Sequence, residues 1–346
     1  MHALKRSGTL LVGALVLAGV LAPNLAFATG PGGSQFDVSG DNQQGQSQSI
    51  GSRISFHGAT RGSDGGDSGG LAPVTNWAPP ACWYEPKWNP DEFAKHFEKE
   101  WNIPDASGVG EAYNMAKDHF QNGKPYKDFN KAETGKGMWW DAVRDPAREK
   151  AGDPAAFACD TATFWVKNGE TPTVKNAVTP DVLAQLAYSR IKLPDTKVTL
   201  APSGPTKVNL ATWAWLDKKD FKPVSVTAEL NVPGWNLQAI TTAKPISLKL
   251  EPGTPDATTY PAGGECTFND DGSIGTAWAP GLGNQDPPCG IKYLRSSAGG
   301  SFPLKATITW QVTWTGTGHQ NPTGLPDGVF GTTQNVVVEE AQAVNR

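Results

Sequence analysis

Residues 305–315 read KATITWQVTWT, and this stretch limits the fold more tightly than any other in the chain. Ala306, Ile308, Trp310, Val312 and Trp314 hold the even positions, and Thr307, Thr309, Gln311, Thr313 and Thr315 the odd ones. A side-chain period of two puts one set on a core and the other toward water, which is the signature of an antiparallel strand buried on one face. PVSVTAELNV repeats the pattern with Val224, Val226, Ala228, Leu230 and Val232 inward, and PISLKL adds Ile246, Leu248 and Leu250. Further strands are predicted at 196–201, 207–216 and 333–339. Six or more short strands divided by Pro/Gly turns predict an immunoglobulin-like antiparallel β-sandwich over 193–346.

Residues 76–192 follow a different period. In NPDEFAKHFEKEW, Asn89 is placed to cap a helix, Pro90 takes its first position and Glu92 stands where a capping-box acid belongs. Phe93, Phe97 and Trp101 then recur every four residues and make one apolar face. TPDVLAQLAYSRI repeats this grammar with Thr179 and Pro180, and its buried stripe is Val182, Leu183, Leu186 and Ala187. GEAYNMAKDHFQNG predicts a weaker helix through Tyr113, Ala116 and Phe120 that closes at Gly123. The segment reads as a helical subdomain, so the class expected for the whole chain is α+β.

The first 28 residues read as a Sec signal peptide. Lys5 and Arg6 precede a short apolar run, and Ala26-Phe27-Ala28 supplies the small-x-small end, with cleavage expected after Ala28. The apolar run is too short for a transmembrane helix, so export into an extracellular setting is expected. Residues 29–75 read as a disordered tether, since 30–70 hold 12 glycines and 8 serines among 41 residues. Such a stretch buries too little apolar surface to offset its ordering entropy. The tether contains GDSGG, which spells the serine-protease nucleophile motif around Ser68. A nucleophile elbow needs a strand before the serine and a helix after it. The flanks FHGATRGSDG and LAPVTNWAPP supply neither, and the one upstream histidine of the mature chain, His57, sits in the same stretch. Ser68 therefore reads as linker.

Cleavage after Ala28 would leave 28 basic against 34 acidic residues, a formal net charge of −6. A mildly acidic chain without a basic block argues against a nucleic-acid partner. Cys82, Cys159, Cys266 and Cys289 permit three disulfide pairings. The layout favours Cys82–Cys159 and Cys266–Cys289, one bridge in each half, and no Cys-x-x-Cys spacing supports zinc as the rival.

Cofactor and catalytic patterns fail one after another. ETGKGMWW lacks the first glycine and the Ser/Thr of a P-loop, and GVGEAY and GLGNQD lack the last glycine of a dinucleotide fingerprint. NDDGS fails as a calcium loop, because Gly272 at the turn position places Thr267 and Trp278 where acids belong. His96 and Glu100 stand four apart on one helix without a third metal ligand in view, and His119 and His319 have no suggestive neighbours. Glu85, Glu229 and Glu265 are candidate carboxylates for a glycosidase pair, a geometry that forms only in space. No cofactor, metal site or catalytic residue is predicted. The excess of tryptophan, 13 residues, is more informative, and packing of the helical subdomain on such rings is the expected use. In NLATWAWLDKKDF, Trp213 and Trp215 share one face and Ala214 and Leu216 the other, so the strand is either covered twice or displays a platform for sugar rings or a partner.

APPACWYEP, NLATWAWLDKKDFKPVSVTAEL, NDDGSIGTAWAPGLGNQDPPCGIKYLRSS and GVFGTTQNVVVEEAQAVNR resemble segments of secreted actinobacterial (Streptomyces-type) proteins of unknown function. Some of those carry labels such as enoyl reductase or ATP/GTP-binding protein, which the motifs of this chain do not support. The resemblance implies a compartment and an architecture and supplies no catalytic residue. The function expected is a secreted or envelope-associated non-catalytic protein that presents a sandwich surface to an envelope protein, with a part in assembling a surface structure. Binding of a cell-wall polysaccharide through exposed tryptophans and an extracellular carboxylate-dependent hydrolase are the rivals.

Overall fold

The computed structural model describes residues 52–58, 69–101, 110–216 and 221–340. The expected signal peptide, its cleavage after Ala28 and Ser68 itself lie outside the described residues.

The chain opens with strand β1 (Ile54–His57), followed by β2 (Cys82–Trp88) and the helices α1 (Pro90–Trp101) and α2 (Gly110–Phe120). Next come β3 (Gly137–Arg144), the short helix α3 (Pro146–Lys150), β4 (Phe164–Lys167) and α4 (Pro180–Tyr188). Strands β5 (Thr199–Ala201), β6 (Ala211–Trp215), β7 (Val224–Val232), β8 (Trp235–Glu251) and β9 (Ala257–Tyr260) lead into the second half. It ends with β10 (Glu265–Thr267), β11 (Gly290–Tyr293), β12 (Phe302–Gly316) and β13 (His319–Val336).

The described residues are mostly antiparallel sheet with few helices. The largest sheet runs β1-β7-β8-β12-β13 and ends on residues 72–73, while β10 pairs with the far end of β8. A four-stranded sheet runs β9-β11-β6-β5, and a three-stranded one runs β2-β3-β4. One face of the large sheet is buried from end to end: Val226, Ala228 and Leu230 on β7, Ala239, Thr241, Ala243, Leu248 and Leu250 on β8, and Leu304 through Trp314 at even positions on β12. The four-stranded sheet contributes Ala214, Ile291 and Tyr293 to the same continuous core, so the two sheets form a sandwich. Cys266 on β10 is bonded to Cys289, next to β11, and thus joins the two layers. Helix α4 covers the other half of the buried face, where the Thr241 hydroxyl donates to the Ala184 carbonyl at 2.8 Å.

Both predicted disulfides are present, Cys82–Cys159 and Cys266–Cys289. The capping box forms as its spacing requires: the Glu92 amide donates to Asn89 Oδ1 and the Asn89 amide to Glu92 Oε2, each at 2.9 Å. Thr179 caps α4 through a bond from the Val182 amide at 3.2 Å. Of the described residues, no helix is long and apolar enough to cross a membrane.

Three expectations need correction. The segment 76–192 is not a helical subdomain alone, because β2, β3 and β4 build a sheet inside it. Strands β2 and β3 show no alternation in the sequence because both of their faces are covered; Cys82 through Pro86 and Gly137 through Trp140 are all buried. The segment 29–75 is not wholly tether either. Ile54 and Phe56 of β1 are buried in the main core, and residues 69–70 and 72–73 pair with 192–193 and with β13. Lastly, Ile246 faces outward and is 38% exposed, because the register shifts between Pro245 and Ser247 and turns the strand.

Candidate interaction surface

Among the described residues, the large sheet is covered on one side, and its other side is a broad, mostly polar face. Alternation fixes its composition. Thr309, Gln311, Thr313 and Thr315 line it on β12, where the Thr307 hydroxyl is buried, and Ser225, Thr227 and Glu229 line it on β7. Register sets the rows across it. Ser225 lies opposite Thr242, which lies opposite Thr313, while Thr227, Ile240 and Thr315 form the next row. The Ser225 and Thr242 hydroxyls bond each other at 2.8 Å. Neighbouring strands stand about 4.8 Å apart and alternate residues of one strand about 6.8 Å, so the outward side chains repeat on a regular grid. β-branched threonines hold a narrow range of χ1 and suit a pleated surface, so the grid is stiff. At its hairpin end, Gln238, Ile240, Thr315, Thr317 and His319 surround a shallow depression of about 320 Å³. The His319 ring lies 5.0 Å from that of the buried Trp314.

At the β1 edge of this face sits a sealed carboxylate. Glu85 on β2 has no exposed surface. It accepts from the Arg53 amide at 2.5 Å, the Ser52 hydroxyl at 2.8 Å and the Trp83 indole Nε1 at 2.8 Å. Burial pushes its pKa above the ordinary carboxylate range, and the three donors oppose that shift. Arg53 extends the contact, donating to the Lys87 carbonyl at 2.7 Å and pairing with Glu92 at 3.2 Å. Glu85 therefore holds β1 onto the body. With all its donors internal and no path to solvent, it is a clamp for the strand rather than an acid or base for a substrate.

The other two candidate carboxylates lie elsewhere. Glu229 is on the open face, accepting from Gln238 Nε2 at 2.6 Å and facing His57 Nε2 at 3.7 Å. Glu265 is exposed on β10, opposite Lys249. The structure does not bring the three together. His57, read from the sequence as part of the tether, closes β1 instead. His96 stacks on Trp88 with ring centroids 4.3 Å apart, and burial lowers its pKa, against the pull of Glu100 and Asp141. Burial also lowers that of His119, whose ring packs against Tyr126 at 5.3 Å. In NDDGS, the Ser273 amide and hydroxyl both donate to Asp271 Oδ1 and Asn269 Nδ2 donates to the Gly275 carbonyl, which makes a turn closed on itself. Among the described residues, no group of three or more His, Cys, Asp or Glu is arranged to hold a metal ion. Gly137 of ETGKGMWW enters β3, where a Cβ would stand 2.4 Å from the Val166 carbonyl oxygen, so that glycine serves close strand packing.

Trp213 is 4% exposed and Trp215 half-buried, so their strand is covered on both faces and Trp213 offers no ring to a sugar. Among the tryptophans whose burial is described, Trp278 stands open, 43% exposed, in the loop closed by Cys266–Cys289. Its signal in the sequence was the absence of either period around it. No family model, curated protein or solved structure matches the chain.

Proposed function

We propose that this chain is a secreted, non-catalytic protein of the cell envelope that presents the open face of its large sheet to an envelope partner. The observation that carries the reading is the one-sided burial of the long strands β8 and β12, which leaves a stiff, hydroxyl-rich grid in front of a fully packed core. A broad polar face of this kind suits a partner surface with matched donors and acceptors, and the depression at its hairpin end is shallow. The two disulfides support an oxidising compartment. Processing after Ala28, the immunoglobulin-like kinship of the sandwich and the tie to secreted actinobacterial proteins belong to the same proposal. So does a role in assembling a surface structure.

The test is retention of the purified mature chain on isolated envelopes of the producing organism. Thr309→Arg/Thr313→Arg places two bulky charges on the grid without touching the core. Wild type should sediment with the envelopes and the variant should lose at least tenfold in retention at an unchanged thermal midpoint. Equal retention of the two proteins, or none by wild type, removes the reading.

A further inference from the structure

Strand β1 is short, lies at a sheet edge, and stands apart in sequence from the body it completes. After Gly58 come residues 59–68, ATRGSDGGDS, before the next described residue, Gly69. Yet Ile54 is 0% and Phe56 2% exposed, so this strand fills two sockets of the main core. Its four residues pair with Thr227 through Leu230 of β7. The Arg190 guanidinium lies over the Phe56 ring at 5.1 Å. Glu85 takes two of its three hydrogen bonds from Ser52 and Arg53, just before the strand. Without β1 the body would hold an open strand edge, two apolar sockets and a buried carboxylate left with the Trp83 indole alone. That is a built slot for one extended segment. An open edge beside apolar sockets takes up a strand by main-chain pairing and side-chain insertion together.

Where the chain ends and resumes also matters. β1 occupies one edge of the large sheet and residues 72–73 the opposite edge, with β7, β8, β12 and β13 between them. Five strand spacings amount to about 24 Å. The residues from Gly58 to Ala72 have a reach of roughly 50 Å, so the contour allows the strand to seat on its own body or on an adjacent one.

We propose that β1 is an exchangeable donor strand whose second acceptor is the same slot on another copy of this chain. In dilute solution the tethered strand wins, because a short connection gives an effective concentration on the order of millimolar. When copies are crowded the strand seats in trans. Each copy then offers one donor and one slot, so the contact is head-to-tail and grows into a chain unless the rotation closes. This deepens the assembly part of the proposed function by naming a second copy as partner, and it rests on that reading only for the place where copies become crowded.

Ser55 and Glu229 are directly opposed across β1 and β7, at a spacing that a disulfide can bridge. All four native cysteines are bonded, so an introduced thiol has no competitor. Mature S55C and E229C chains are mixed from micromolar to millimolar concentration and oxidised mildly, and linked peptides are read by mass spectrometry. The expected product joins residue 55 of one copy to residue 229 of another, with a yield rising at least tenfold across the range. A free peptide of residues 50–58 in excess should lower that yield several-fold, and Phe56→Asp in the S55C chain should remove it. Absence of the intermolecular link at every concentration, while the S55C/E229C double variant closes within one chain, overturns the proposal. A yield indifferent to the peptide also overturns it, and the peptide arm does not depend on how the Phe56 variant folds. Intermolecular links without envelope retention would sink the envelope reading alone, and retention without links would sink this one alone.

Discussion

Trp139 and Trp140 are neighbours on β3, both fully buried, and they belong to different cores. Trp140 faces the main core, where its ring meets Trp235 edge-on at 5.3 Å. Trp139 faces a small cluster of rings under the helices, with Phe93 at 4.6 Å and Phe120 at 5.4 Å, and its indole donates to the Phe129 carbonyl at 3.0 Å. The main core joins the large, the four-stranded and the three-stranded sheets, α4 and β1, while the cluster packs α1, α2 and the segment around Phe129 onto Trp139 of β3. One strand thus serves as the wall between a large cooperative unit and a small aromatic one. Stability need not be uniform across such a wall, since units with fewer buried contacts open locally at lower free energy.

The largest break in this comparison should come from the tryptophans themselves. Trp140→Ala is expected to cost about 3–5 kcal/mol of global stability in denaturant titration, since it empties a fully buried site in the core shared by these sheets. Trp139→Ala empties an equally buried site, but hydrogen exchange should quicken first at α1 and α2 and leave β12 protected. Equal acceleration in both regions would show one cooperative unit.

The disulfides sharpen the contrast next. Cys266 and Cys289 are 23 residues apart, so replacing both with alanine should cost about 3 kcal/mol by loop closure, felt by the sandwich. The Cys82–Cys159 bridge spans 77 residues, for which the same relation gives about 4–5 kcal/mol. Calorimetry of the two double variants ranks them.

Smaller again is the cap of α1. Asn89→Ala removes one half of the reciprocal pair with Glu92 and should lower the stability of the helical region by about 1 kcal/mol, read as helical signal against denaturant.

A pH scan gives the finest probe. His96 has its folded pKa below the unfolded value, so the folded state binds fewer protons, and stability falls as pH drops from about 6.5 through the folded pKa. Glu85 has its folded pKa raised, so its contribution runs the other way and stability declines as pH rises above the ordinary carboxylate value. His96→Phe keeps a ring on Trp88 and should reduce the acid limb below about pH 6.5 in the helical region, leaving the part that His119 contributes. An unchanged limb would mean another group carries it.

Much of the sandwich was legible because half-burial writes itself into alternation, and β7, β8 and β12 follow it almost residue for residue. The helix ends were legible because capping is local chemistry. The β2-β3-β4 sheet was not, because β2 and β3, covered on both faces, lose the period that reveals a strand, and β4 is four residues long. β1 was not, because a four-residue alternation, Ile54 and Phe56 in RISFH, is outweighed by the glycines around it. The open face could be seen as a row of threonines in one strand; its width depended on which strands lay beside that row.

What the sequence determined by itself is therefore local: the period of each strand, the caps of α1 and α4, and a cysteine layout that favoured the two bridges found. Only the tertiary structure decided which of two apolar faces meets which partner, and so that Trp213 is closed off and Trp278 open. It also placed Glu85 beneath a strand that begins some thirty residues earlier. The reason is physical. Backbone period and capping depend on neighbours in the chain, whereas burial depends on what packs against a side chain from a distant part of it.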